Sequence, residues 1–184
     1  MAPDRRESSG LRARSARMGD PFRAASMSAT TWKPDVTVAA IVERDGRFLF
    51  VEERVRGALV LNQPAGHLED GESILAATVR ETLEETAWLV EPVGLVGLYQ
   101  WTSPVDGMTF LRVALAARAL AHHHERALDE GIERAVWIAA DALDAHPVPS
   151  RSPLVRRCLH DYLRHGSTPL DRLQLVEAQG GRTP

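Results

Sequence analysis

The chain carries one cysteine, Cys158, among its 184 residues. A single thiol can form no internal disulfide, so a disulfide-stapled secreted scaffold is excluded and a reducing cytosol fits. Long hydrophobic runs are lacking as well. The stretch VTVAAIV, residues 36–42, falls far short of the roughly 18 apolar residues a membrane span needs. No apolar signal-peptide core is present either. The formal net charge of -3 gives no global pull toward nucleic acid or anionic lipid. No basic stripe or DNA-binding module appears, so no specific nucleic-acid partner is expected. A Ser-His-Asp pattern, a P-loop and an internal repeat are also missing.

What is present is ordinary for one globular domain: 44% apolar and 26% charged residues. Residues 1–31 are rich in Arg, Ser and Ala without hydrophobic periodicity, and they read as a disordered extension. Their Arg and Ser content also suits a targeting segment, but Asp4, Glu7 and Asp20 count against that. Met18 and Met27 are alternative starts. Residues 32–176 read as the folded domain and 177–184 as a flexible tail.

Within the domain, DVTVAAIVERDGRFLFVEERV is two β-rich runs around a hairpin turn at Asp45-Gly46. ALVLNQPAG is a short strand ending in a Pro/Gly loop. WLVEPVGLVGLYQWTS and MTFLRVALAARAL are strands flanking a turn at Val105-Asp106-Gly107, and RAVWIAADAL runs from strand toward a short helix. SPLVRRCLHDYLRHG is an amphipathic helix with Ser152 as N-cap, Pro153 at its first turn and Gly166 beyond its end. Mixed strands with two or three helices imply an α+β layered domain. Trp32, Trp88 and Trp137 read as packing residues, and Cys158 as buried or inert. His122, His123 and His124 are consecutive, so they point to alternate faces and read as solvated.

The informative segment is GHLEDGESILAATVRETLEETAW, residues 66–88. A helix is expected from Glu72 or Ser73 to Thr86, with Asp70 as a possible cap and Ile74, Ala77, Val79 and Leu83 supplying contacts. Glu81, Glu84 and Glu85 then share one arc of that helix. Like charges one turn apart repel by a few tenths of a kcal/mol, so stability alone does not call for them.

The spacing resembles the signature of the Nudix hydrolases, G-x5-E-x7-R-E-U-x-E-E-x-G-U, where U is aliphatic. Gly66, Glu72, Arg80, Glu81, Glu84 and Glu85 match it. Thr82 stands where an aliphatic residue is usual, and Ala87 where glycine is. The stretches WKPDVTVAAIV, LNQPAGHLE, YQWTSP, TFLRV and RSPLVRRCL look like the NudJ-type phosphatase branch, from Trp32 to Val176.

The resemblance implies an α/β/α sandwich with a mixed sheet and a loop–helix–loop site. It implies a hydrolase acting on a small phosphorylated substrate: a nucleoside tri- or diphosphate, or the thiamin pyrimidine precursor diphosphate. Rival readings are a pyrophosphatase for ADP-ribose, a damaged nucleotide or a capped RNA end, and a non-catalytic nucleotide sensor. The implied cofactor is Mg²⁺, with Mn²⁺ possible, since a hard divalent cation reconciles clustered carboxylates with an anionic substrate. Glu84 and Glu85 are the expected metal ligands, with Glu81 a ligand or the water-orienting base and the Gly66 carbonyl a further ligand. Arg80 is expected to orient a glutamate, with Glu72 a candidate partner. A later carboxylate, Glu130 or Glu133, is the candidate to complete the site. Asn62, Gln63, Gln100, Trp101, Arg112 and Arg151 are candidates for substrate contact, Trp101 by stacking on a ring and the arginines by meeting phosphate. His67 also lies beside the site. A cytoplasmic monomer or homodimer is expected.

Overall fold

The computed structural model describes residues 32–174 and residue 176. The expected N-terminal extension (1–31) and C-terminal tail (177–184) lie outside the described residues. Asp45 and Gly46 both adopt positive φ, 51° and 70°, the geometry that suits a two-residue hairpin. They join β1 (Asp35–Arg44) to β2 (Arg47–Val55). A second such turn at Arg56-Gly57, with φ of 51° and 84°, leads into β3 (Ala58–Asn62). Then follow β4 (Ala65–His67), α1 (Ile74–Thr86), β5 (Trp88–Thr102), β6 (Thr109–His122) and β7 (Ile132–Ala139). A 3-10 turn at Ala140–Ala142, α2 (Pro153–His165) and a last 3-10 turn at Leu170–Arg172 complete the order. Among the described residues, no helix is long and apolar enough to cross a membrane.

The sheet is mixed, in the order β3-β2-β1-β6-β5, with β4 added to β1 and β7 to β2. Among the described strands only β1 and β6 run parallel, from Asp35 opposite Phe110 to Glu43 opposite Arg118. β1 and β2 pair only beside their hairpin, at Glu43–Phe48 and Arg44–Arg47. Beyond that they part. β4 pairs with β1, Val38 lying opposite Gly66, while β7 and β3 pair with β2. Ala40 N–H donates to the Pro64 carbonyl at 2.9 Å. The Pro64-Ala65-Gly66 segment, expected as a loop, is therefore stitched into the sheet by backbone hydrogen bonds.

Side chains alternate across β1. Ile41 packs with Phe48, Phe50 and Leu61 under Val155, Cys158 and Leu159 of α2. Ala40 and Val42 pack on the other face with Leu49, Val90 and Ala117. α1 lies against β5, β4 and β1. The result is the expected α+β sandwich, a mixed sheet between two helices. Trp88 and Trp137 meet edge to face at 5.6 Å against the second cluster. Trp32, expected to pack, is instead 65% exposed.

α1 starts at Ile74, capped by Ser73 rather than Asp70: the Ser73 hydroxyl accepts from Ala76 N–H at 3.1 Å. Its buried positions are Ala77, Thr78, Thr82, Glu85 and Thr86, whereas Ile74, Val79 and Leu83 are only partly covered. Thr78, Thr82 and Thr86 each donate to the carbonyl one turn back, at 2.8, 2.7 and 2.5 Å. Thr82 can thus stand at an aliphatic position because its buried hydroxyl is satisfied within the helix.

Ala87 ends α1 in the left-handed region, φ 58° and ψ 12°, and its N–H donates to the Leu83 carbonyl at 3.0 Å. The exit that glycine favours is kept, with the strain carried by alanine, about 1–2 kcal/mol. Burial of its methyl group, 2% exposed, offsets roughly 0.8 kcal/mol, and alanine also restricts the unfolded chain by about 0.4–1 kcal/mol. Ala87→Gly is therefore expected to change unfolding free energy by less than about 1 kcal/mol in a urea titration. A larger loss would mean that the methyl group, not the turn, holds this corner.

Candidate active site

β4 and α1 bring the acidic residues together. Gly66 lies so close to α1 that a side-chain carbon built on it would sit 2.2 Å from the Glu81 carboxyl group. Only a residue without a Cβ leaves Glu81 where it is. The neighbouring Ala65 N–H donates to Glu85 Oε2 at 2.8 Å. Backbone from the sheet therefore touches two of the three predicted acids.

Arg80 is the hub of the cluster. Its Nε and Nη2 donate to the two oxygens of Glu72, both at 2.9 Å. Its Nη1 reaches Glu81 Oε1 at 2.7 Å and Glu84 Oε2 at 3.1 Å, and Nη2 also donates to the His67 carbonyl at 3.1 Å. The fork geometry of a guanidinium suits this bidentate grip. Arg80 holds the Glu72 carboxyl below its ordinary range. Glu72, followed by Glu81 and Glu84, keeps Arg80 charged against the opposing effect of burial.

Two acids are pushed the other way. Burial raises Glu81, opposed by its contact with Arg80. Burial pushes Glu85 up to about 8, the Ala65 hydrogen bond opposing and the charges of Glu53 and Glu81 adding. Glu85 is 8% exposed. Carboxylates kept in a costly environment mark candidate functional sites.

The donors fit a hard divalent cation: three carboxylates and a backbone carbonyl at Gly66, all oxygen. The glycine cradle that leaves room for Glu81 supports the same fit. Among the described residues, no three acid, histidine or cysteine side chains converge tightly enough to cage an ion by themselves. Mg²⁺ commonly keeps waters and shares its shell with substrate phosphates, so it does not require such a cage.

Of the two later candidates, Glu130 lies in the loop before β7 and Glu133 on β7 itself. Glu133 pairs with Arg54 on β2, and Glu130 is exposed. Asp129 is the acid of that loop whose charge reaches Glu81, and its N–H donates to the Glu84 carbonyl at 3.1 Å. Glu53 was also missed. It lies buried on β2, acts on Glu85, and is held by Arg151 Nη1 at 2.6 Å. Its signal is the acid pair Glu52-Glu53 directly following the apolar run FLFV on a strand.

A cleft of about 540 Å³ begins at Ala65, Gly66 and His67 and extends to Asn62, Trp101, Arg112 and Arg151. Trp101 stacks on Phe110, ring centres 5.9 Å apart and planes at 22°. Gln63 and Gln100 are not among its lining residues. Gln63 is 1% exposed and donates to the Val155 carbonyl at 2.6 Å, anchoring α2. Gln100 is exposed, one residue out of phase with Tyr99 and Trp101, and strand alternation turns it away from them.

A family model for the NUDIX domain matches residues 32–158. Phosphatase NudJ of Escherichia coli (strain K12) is 35% identical over 142 residues, covering 77% of this chain and 92% of that protein. The Shigella flexneri Phosphatase NudJ matches to the same extent. A solved NUDIX hydrolase from Nitrosomonas europaea is similar with TM-score 0.76 and 47% identity, covering 78% of this chain and 98% of that one. A MutT NUDIX hydrolase from Burkholderia pseudomallei shares the fold at TM-score 0.61 and 24% identity, covering 71% of this chain and 98% of that one. The chain belongs to the Nudix family, and it is a Nudix phosphohydrolase.

Proposed function

We propose that this enzyme uses Mg²⁺ to hydrolyse phosphoanhydride bonds of nucleoside tri- or diphosphates, or of a pyrimidine diphosphate such as the thiamin precursor, and releases orthophosphate. The observation that carries this reading is the seating of Glu81 against Gly66. It fixes a carboxylate, held by Arg80, against Gly66, which itself lines a cleft large enough for a small phosphorylated ligand. Similarity to proteins named Phosphatase NudJ supports phosphate release over other Nudix outcomes.

Glu81, Glu84, Glu85 and the Gly66 carbonyl would hold the metal, which polarises a phosphoryl oxygen and acidifies water when bound. Arg80 fixes the carboxylates of Glu72, Glu81 and Glu84 in place, so little reorganisation is needed on binding. Glu81 is the acid placed to orient water, with Asp129 keeping negative charge nearby. Trp101 and Phe110 offer a flat apolar wall for a ring.

A phosphate-release assay with Mg²⁺ and a panel of pyrimidine and purine di- and triphosphates tests this. Orthophosphate is expected from at least one of them. Monophosphates without orthophosphate, from ADP-ribose or a capped dinucleotide, would shift the reading to a pyrophosphatase. Tight binding with no turnover of any compound would overturn it.

A further inference from the structure

Three arginines line the cleft: Arg56, Arg112 and Arg151. Two are already neutralised. Arg151 donates to Glu53 at 2.6 Å, and Arg56 to Asp106 at 3.0 Å. Arg112 differs. It is 7% exposed, and among the described residues no carboxylate lies within 4.0 Å of its guanidinium. Its Nη1 makes only long contacts to neutral amide oxygens, 3.5 Å to Asn62 and 3.4 Å to Gln63. Its Nε is buried without a partner.

The groups around it do not supply the missing charge. Cys158, packed beneath it, is a neutral thiol near pH 7, because burial pushes it up to about 11. Glu53 and Glu85 act on Arg112 only beyond ion-pair distance; Glu53 Oε2 pairs with Arg151, and its Oε1 is buried without reaching a donor. A buried cation without a counterion is unfavourable, and folding retains it only where something else completes it. Asn62 turns its amide oxygen toward Arg112, which leaves its NH₂ group, a donor pair, as its remaining polar group beside the cleft. The floor there presents donors and a positive charge.

We propose that Arg112, alone among the cleft arginines, is an anion-binding residue that takes a phosphate group, the substrate's own or the orthophosphate released. The free protein is accordingly less stable for carrying it. This rests on the reading of the cleft as a site for phosphorylated compounds, but binding of orthophosphate requires no turnover. A failure of the hydrolytic reading therefore leaves the test below intact.

The full-length chain is titrated with inorganic phosphate by calorimetry, and its unfolding temperature is recorded with and without phosphate. Wild type is expected to bind phosphate and gain stability from it. Arg112→Gln is expected to unfold at a higher temperature than wild type without phosphate, and to bind phosphate at least about tenfold more weakly. Arg112→Lys keeps the charge and is expected to retain more of the affinity than Arg112→Gln. Arg151→Gln strands Glu53 and is expected to unfold at a lower temperature than wild type, the opposite of Arg112→Gln.

If wild type turns over a substrate, orthophosphate inhibition separates the two sources. Competition with substrate means that the substrate's own phosphate uses the site; non-competitive inhibition assigns it to released orthophosphate. The proposal is overturned if wild type ignores phosphate, or if Arg112→Gln binds it unchanged. It is also overturned if that variant is less stable than wild type or fails to fold. Loss confined to ring-bearing substrates, with orthophosphate binding intact, overturns it as well and makes Arg112 a reader of the ring.

Discussion

Glu85→Gln is expected to lower turnover by at least about 10²-fold while making the metal-free protein more stable at alkaline pH. The amide keeps an oxygen that can accept from Ala65 N–H, so the joint between β4 and α1 survives. What it loses is the charge that the proposed cation needs. Stability moves the opposite way because Glu85 is buried. Its carboxyl is pushed from an ordinary 4.5 up to about 8 in the folded chain. The folded state therefore holds a proton that the unfolded chain has already released. That contribution to stability is complete below the unfolded value, declines as pH rises, and is gone above the folded value. Urea unfolding in chelator at about pH 5 and about pH 8 reads this directly. Wild type should weaken between the two, and Glu85→Gln should weaken less. Equal slopes would mean that Glu85 is ionised in the folded chain at both.

Gly66→Ala is expected to abolish most activity with little change in unfolding temperature. Gly66 has no left-handed φ to protect, so its backbone accepts alanine. The new methyl group would collide with the Glu81 carboxyl atoms at 2.2 Å. Those atoms are the end of a flexible side chain, which swings away at modest cost. Glu81 then leaves its contact with Arg80 and its place beside the cleft. A fall of about 10²-fold or more in kcat is expected, the usual range for a displaced catalytic group. Circular dichroism and thermal unfolding should show the fold intact. Near-normal turnover in a folded Gly66→Ala protein would falsify the placement of Glu81 in the chemistry.

The acidic helix was legible because its chemistry is local. Gly66, Glu72, Arg80, Glu81, Glu84 and Glu85 sit within one loop and one helix, and helical period alone groups the three glutamates. Most strand runs were legible for the same reason, since turns at Asp45-Gly46 and Gly107 announce themselves. What was missed depends on distant pairing. β4 is three residues long and is a strand only because β1 parts from β2 and accepts it. The charge of Glu53 on β2 acts on Glu85 on α1, and no spacing in the sequence relates residues so far apart. Asp129, Glu130 and Glu133 are all exposed, and the composition of that segment does not distinguish one acid from the next. Gln63 reads from sequence as a ligand contact, but an amide can equally tie down a helix, and buried Gln63 donates to the Val155 carbonyl of α2.

The parallel pairing of β1 with β6 has a consequence for how the chain is made. The first strand leaves the ribosome long before its central neighbour, so one edge of it waits unpaired while β2 to β5 are synthesised. Closing so wide a loop is slow, and an open apolar edge such as VTVAAIV invites association with other nascent chains. Fragments ending before Thr109 should therefore aggregate, whereas those reaching past His122 have the partner strand in hand.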